Sequence, residues 1–409
     1  MKYIFAVIVF IIACSVAETM SPIEKIVAPK VDSAKVALGK RLFFDARLSD
    51  TNSISCGSCH KPEFGFADNL PLSPGIFGRK GNRNTPQIVN AFTQTHFFHD
   101  GRETSLEAQA KGPLNNPLEM GDISKVVPKL SKDSSYVRTF RALYKRDITI
   151  DLIVDAIAEF ERSLVFNNSP YDRFVEGDSS ALTEDQQIGM SLFFDKAKCA
   201  DCHSGSNFTD NKFHNIGFYT DSTSDAGRFD HTKNREDLGK FKTPSLRNIA
   251  VTAPYFRDGR TQTLKEVIEL YNKPNPMGEG LYKDSLIQAI HLSAEEVYQL
   301  TCFLHALTSK KQLMEHANKF VLEYVIKKQT YTREMFEKEY YLPLFHQKIA
   351  YFKATQDSLI DRVELDLLEK ATREEEKDNV RIYIEKTYFS GMYKHLFEQG
   401  EHHIFNSSI

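Results

Sequence analysis

The chain has no tryptophan among its 409 residues, and only six cysteines. Long apolar runs are missing too: the stretch Tyr3–Ala13 is too short to span a bilayer, which takes about 20 residues. Strong charge of either sign is absent, and a formal net charge of -3 gives no electrostatic reason for a nucleic-acid or anionic-membrane partner. With 15 proline and 20 glycine residues the chain is neither collagen-like nor of low complexity. What is present is an ordinary globular composition, 41% hydrophobic and 26% charged, with 30 Phe and 17 Tyr to build cores. Its length allows two or three domains.

Residues 1–17 read as an export signal: Lys2, then the apolar run, then small residues. Two processing readings stay open. Ile11-Ile12-Ala13-Cys14 has the form of a bacterial lipobox, with a lipid anchor on Cys14, whereas Ser15-Val16-Ala17 is a small-x-small site that yields a soluble product. Either one places the mature chain in the periplasm or cell envelope.

Four of the six cysteines fall in two matching patterns, Cys56-Gly57-Ser58-Cys59-His60 and Cys199-Ala200-Asp201-Cys202-His203. Both are C-x-x-C-H, the attachment signature of c-type haem. Two thiols about one helical turn apart form thioethers with the two vinyl groups, and the adjacent His reaches the iron from the same face. The spacing therefore predicts two covalently bound haem c groups. A dithiol redox pair or half a zinc site is the competing reading of one such motif, and the repetition speaks against it. Cys302, inside Leu300-Thr301-Cys302-Phe303-Leu304, reads as a buried thiol.

The surroundings of the motifs also repeat. Leu42-Phe43-Phe44-Asp45 and Leu192-Phe193-Phe194-Asp195 precede them. Thr85-Pro86-Gln87-Ile88-Val89-Asn90 then matches Thr243-Pro244-Ser245-Leu246-Arg247-Asn248, and Phe97-Phe98-His99-Asp100-Gly101-Arg102 matches Tyr255-Phe256-Arg257-Asp258-Gly259-Arg260 at the same offset. The expectation is a mainly α chain with two cytochrome-c-like haem domains from an internal duplication, at about 25–175 and 180–309. After each Asp-Gly-Arg the apolar spacing predicts a helix, through Leu106 and Ala110 in one copy and Leu264, Val267 and Ile268 in the other. There Tyr271 stands where the first copy has Pro113. A Tyr can ligate iron and a Pro cannot, so the far sides of the two haems are expected to differ.

Residues 310–409 have no Cys and a single Pro, and the stripe Leu359, Ile360, Val363 and Leu367 predicts helix. This segment reads as a helical extension of unassigned role. Its His395, His402 and His403 read as exposed rather than metal-binding.

With the two C-x-x-C-H motifs, Arg83-Asn84-Thr85-Pro86, the two Asp-Gly-Arg segments, Gln109-Ala110-Lys111-Gly112-Pro113 and Pro117-Leu118-Glu119-Met120, the chain resembles the bacterial di-haem cytochrome c peroxidases, MauG included. The resemblance covers about Ala37–Leu307 and leaves out 310–409. It implies that hydrogen peroxide is cleaved at the N-terminal haem, and that the C-terminal haem passes on electrons from a small cytochrome c or cupredoxin. It further implies His60 and His203 as proximal ligands, and Gln109 and Glu119 on the distal side of the first haem. An interdomain calcium ion would be held by the Asn84 side chain and the carbonyls of Thr252 and Pro254, hard oxygen donors of the type calcium prefers. A homodimer is a candidate assembly. For Glu119 a chemical argument stands beside the resemblance, because splitting a peroxide needs a group that moves a proton between its oxygens.

Three positions depart from the peroxidase pattern. Ile76, in Ser73-Pro74-Gly75-Ile76-Phe77-Gly78, stands where many relatives have a His that closes the first haem, so that haem is expected to be open. Tyr271, as in MauG, stands where typical peroxidases have an iron-binding Met, with Met277 as its competitor. His99 replaces the usual interhaem Trp, which puts MauG-type oxidation at a distance in doubt. The alternatives to a peroxidase are thus a MauG-like oxidase of a protein or organic substrate and a non-enzymatic electron-transfer cytochrome.

Overall fold

A computed structural model describes residues 25–276 and 280–309. The expected signal with Cys14, the competitor Met277 and the whole 310–409 extension lie outside the described residues. Those described fall within the first of two compact units, Met1–Phe320, the second being Val321–Ile409.

The architecture is mainly helical. Helices α1 (Ser33–Phe43), α2 (Cys56–Cys59), α3 (Leu106–Leu114), α4 (Val126–Leu130), α5 (Ser134–Tyr144) and α6 (Ile150–Arg162) are followed by α7 (Pro170–Val175), α8 (Glu184–Phe194), α9 (Phe229–Thr232), α10 (Leu264–Asn272) and α11 (Ala294–Ala306). Among the described residues the only named strands are β1 (Phe213–His214) and β2 (Phe241–Lys242), an antiparallel pair. The helices start where local chemistry satisfies their free N–H groups. Asp32 caps α1, Thr149 caps α6, and Thr183/Gln186 and Ser293/Glu296 form capping boxes on α8 and α11.

The same helix crossing is built twice. A Cβ on Gly39 of α1 would lie 1.8 Å from the carbonyl oxygen of Ala156 on α6, and one on Gly189 of α8 would lie 2.0 Å from that of Gln299 on α11. Each glycine also faces an aromatic Cβ on the partner helix, Phe160 or Phe303, at 2.9 Å. Only glycine permits these backbones to approach so closely.

Above each crossing sits the same trio of rings. Phe43, Phe66 and Phe160 meet edge to face with centroids 5.1–6.4 Å apart, and Phe193, Phe208 and Phe303 do so at 5.2–6.5 Å. The trios belong to two separate buried clusters, one running from Leu38 to Phe166 and the other from Tyr171 to Leu307. Asn90 and Asn248, both with left-handed backbone, pin the chain that leaves α6 and α11. The Asn90 N–H donates to Leu164 and the Asn248 N–H to Leu307; Asn90 Oδ1 accepts from Phe166 and Asn248 Oδ1 from Ser309. Cys302 is buried, as expected.

Candidate functional site

The first C-x-x-C-H opens with Ser55 and Ser58 closing a capping box on the single turn of α2, which puts Cys56 and Cys59 one turn apart. The second occupies a 3-10 turn at Cys199–Asp201. None of the five described cysteines is in a disulfide.

The two histidines are prepared alike. His60 Nδ1 lies 2.9 Å from the Phe66 carbonyl oxygen, and His203 Nδ1 lies 3.1 Å from that of Phe208. A carbonyl can only accept, so Nδ1 carries the proton and Nε2 keeps the lone pair that a metal takes. Burial lowers both imidazole pKa values, which keeps the rings neutral and able to ligate. Phe66 and Phe208 thus serve twice, as core rings and as orienting carbonyls. The thiols, the turn geometry and the tautomers fit two c-type haems, with Cys56, Cys59 and His60 holding one and Cys199, Cys202 and His203 the other.

Glu119 is brought to the first motif, near enough for its charge to raise the pKa of both Cys56 and Cys59. Burial pushes its own carboxyl above the usual range, and a hydrogen bond from Asn116 Nδ2 to its Oε1, 2.7 Å, holds it back. The Ile76 N–H donates to the Glu119 carbonyl at 2.9 Å, so the loop carrying Ile76 lies against the Glu119 segment. Ile76 itself is buried, whereas the next residue, Phe77, is exposed. Gln109 sits half-buried on α3, and no hydrogen bond joins it to Glu119 among the described residues.

At the second motif Tyr271 projects from α10, the helix expected after Asp-Gly-Arg. Its phenol pKa is raised, first by burial and then by the charges of Cys199 and Cys202, which places its hydroxyl beside that motif. In the first copy Pro113 lies within α3. Cys202, Asp210 and His214 also cluster, with ligand atoms within 4.8 Å of one another. His214 is already held by Asp284 at 2.7 Å and by Asp210 at 3.1 Å, and Cys202 belongs to the second C-x-x-C-H motif, so the cluster reads as a strut under that motif rather than a metal site.

The copies meet along a polar seam. Gln87 and Ser245, at equivalent places in the repeat, touch through Gln87 Nε2 and the Ser245 carbonyl, 2.7 Å. Arg83 bonds Asp100 of the first Asp-Gly-Arg at 2.6 Å and both oxygens of Asp225 at 2.8 Å. Neither Arg83 nor Asp225 is signalled as a seam residue by the repeat, since Asp225 falls in a stretch that has no counterpart in the first copy. His99 is half-buried here, its Nε2 2.8 Å from the Asn84 carbonyl, its own carbonyl accepting from the Lys242 N–H, and its pKa lowered by desolvation to about 4. Asn84 reaches the carbonyls of Leu70 and Pro71 through its amide, and its N–H donates to Arg257. Thr252 and Pro254 are buried near the same seam.

Comparison with known proteins identifies a family. The model of the di-haem cytochrome c peroxidase family matches residues 33–180 and 183–363, so its second match reaches past Ser309 into the segment that the sequence reading sets apart. The chain is 36% identical over 296 residues to cytochrome c551 peroxidase of Nitrosomonas europaea, covering 71% of this chain and 84% of that one. It is 37% identical over 279 residues to methylamine utilization protein MauG of Methylorubrum extorquens, covering 68% and 78%. A solved MauG-like protein associated with microbial copper homeostasis is 33% identical with a TM-score of 0.65, over 72% of this chain and 95% of that one. The chain belongs to the di-haem cytochrome c peroxidase family, in which peroxidases and MauG proteins resemble it to a similar degree.

Proposed function

We propose that the protein is a peroxidase of the periplasm or cell envelope that reduces hydrogen peroxide to two waters, taking two electrons and two protons. The electrons come from a small cytochrome c or cupredoxin. Bound haem supplies the peroxide-binding iron at the first site and the electron relay at the second. The observation that carries this reading is Glu119: a carboxyl pushed toward neutrality by burial, facing the first motif, beside a loop whose Ile76 cannot ligate iron. Its carboxylate takes a proton from one peroxide oxygen and delivers it to the leaving one, and the upward shift that burial gives its pKa favours both halves of that transfer. Gln109 is the second polar group on that side and orients the peroxide. His60 and His203, each with a free Nε2 lone pair, would hold the two haem irons, and Tyr271 would be a further ligand at the second.

Asn84 Oδ1 with the carbonyls of Thr252 and Pro254 is the hard-oxygen set for a calcium ion at the seam. His99 is neutral and hydrogen-bonded, a poor carrier of an electron hole, so transfer between the halves does not use it.

Glu119→Gln is the test. Peroxide turnover drops while the pyridine haemochrome spectrum still reports two haems per chain; full turnover in a fully haem-loaded variant overturns the role of Glu119. A MauG-like oxidase is the second reading, favoured specifically by Tyr271. Consumption of peroxide without a redox-protein donor, with oxidation of a partner protein, selects it instead.

A further inference from the structure

Helix α6 carries a carboxyl that the peroxidase chemistry leaves unused. Glu161 is 4% exposed, and its Oε2 has no hydrogen-bond partner among the described residues. The adjacent cation, Arg162, is turned to Glu107 on α3 and Glu159 on its own helix. Glu161 nevertheless lies near enough to Cys56, where the first haem is attached, for its charge to raise that thiol's pKa.

The duplication supplies an internal control. Phe160 and Phe303 stand in the same place against Gly39 and Gly189, so the residues that follow them, Glu161 and Leu304, are equivalent. Leu304 is buried in the second core. The fold therefore accepts an apolar side chain here, and the carboxyl of the first copy answers no demand of packing.

We propose that Glu161 is a proton-exchanging group coupled to the first haem, losing its proton to solvent when that haem loses an electron and regaining it when the electron returns. Removal of an electron leaves one more positive charge near a buried carboxyl whose Oε2 is unpartnered among the described residues, and the carboxylate offsets it. One proton leaves with each electron, so the charge enclosed in the site stays constant. In turnover peroxide takes the electron and the redox-protein donor returns it; in a titration a soluble mediator does both. Burial pushes the Glu161 pKa up to about 8, with Arg162 lowering it and Glu107 raising it. The charged and titratable groups around Glu161 in the haem-loaded protein are thus Arg162 and Glu159 on α6 and Glu107 on α3, while Lys35 of α1 is engaged with Asp155. Glu107 and Arg162, each about one-third exposed, are the route to solvent.

The inference needs haem at Cys56 and Cys59 and holds for a peroxidase or a MauG-like oxidase alike. Its test is a spectroelectrochemical titration of the holoprotein between about pH 6 and about pH 10, on either side of the carboxyl's midpoint. In the wild type the first haem's potential falls as pH rises, because the carboxylate favours the oxidised iron. Glu161→Gln and Glu161→Leu flatten this dependence and leave the second haem's potential unchanged. The leucine variant copies the second core's own packing. A redox-induced infrared difference spectrum of the wild type then shows a protonated-carboxyl C=O stretch lost on oxidation. A flat wild-type profile, a slope that survives both substitutions, or no carboxyl band overturns the proposal. Peroxide turnover enters none of these readings, so failure of the peroxidase reading registers separately.

Discussion

The backbone N–H of Ile76 donates to the carbonyl oxygen of Glu119 across 2.9 Å. A second bond, from Arg79 Nη1 to the Pro117 carbonyl at 2.9 Å, ties the same two segments together. The loop that would carry a closing histidine and the segment that carries the candidate base are thus one hydrogen-bonded assembly. With isoleucine in that loop, nothing on it can bind iron.

Ile76→His is therefore expected to convert the enzyme into a closed form. The resting first haem changes from high-spin to low-spin, and turnover comes to require prior one-electron reduction. Optical and EPR spectra of the oxidised variant check this; an unchanged high-spin signal would show that Ile76 does not face the iron.

The pH profile follows from Glu119. Burial raises its pKa, so the base form is lost at a higher pH than for an exposed glutamate. Turnover then falls as pH drops through that raised value, and Glu119→Gln loses about 10²–10⁴-fold in rate together with this acid limb. The Asn116 hydrogen bond favours the carboxylate, so Asn116→Ala moves the limb to higher pH. Rate profiles in which Asn116→Ala leaves the limb where it was contradict the assignment.

Tyr271 sets the second haem's potential if its phenolate binds the iron. An anionic oxygen ligand stabilises the ferric state and a thioether raises the potential. Tyr271→Met is expected to shift the second haem's midpoint upward in a potentiometric titration and to leave the first in place. An unmoved midpoint would remove Tyr271 from the ligand set.

The helix crossings predict a stability effect far from either iron. Gly39→Ala and Gly189→Ala each drive a methyl into a carbonyl oxygen and are expected to cost about 1–3 kcal/mol, lowering the thermal midpoint. Gly81→Ala, where a Cβ meets nothing within 4 Å among the described residues, is the control. Equal midpoints for all three would contradict the packing described.

Much of this was legible in the sequence because distinctive motifs repeat in the same order in both halves. The C-x-x-C-H pair, Thr-Pro-x-x-x-Asn and Asp-Gly-Arg declare the duplication, and the helical periodicity after Asp-Gly-Arg locates α3 and α10, hence Tyr271 opposite Pro113. The crossing glycines and the ring trios were not legible. Phe160 and Phe303 stand 143 positions apart, the offset of the C-x-x-C-H motifs, and Phe66 and Phe208 stand 142 apart, but with 30 Phe in the chain that coincidence carries no signal until the rings are seen to meet. Glu161 escaped for a different reason: on a helix of buried residues only the third dimension shows that its carboxyl is buried with Oε2 unpartnered among the described residues. Asp225 has no counterpart in the first copy, so its seam with Arg83 leaves no repeated trace.

The central claim is that the first haem is open to peroxide in the resting protein. EPR and optical spectra of the oxidised holoprotein, before and after one equivalent of hydrogen peroxide, test it most directly. The account predicts one high-spin and one low-spin haem, with reaction on mixing and no prior reduction. Two low-spin haems that react only after one electron has been added would contradict it.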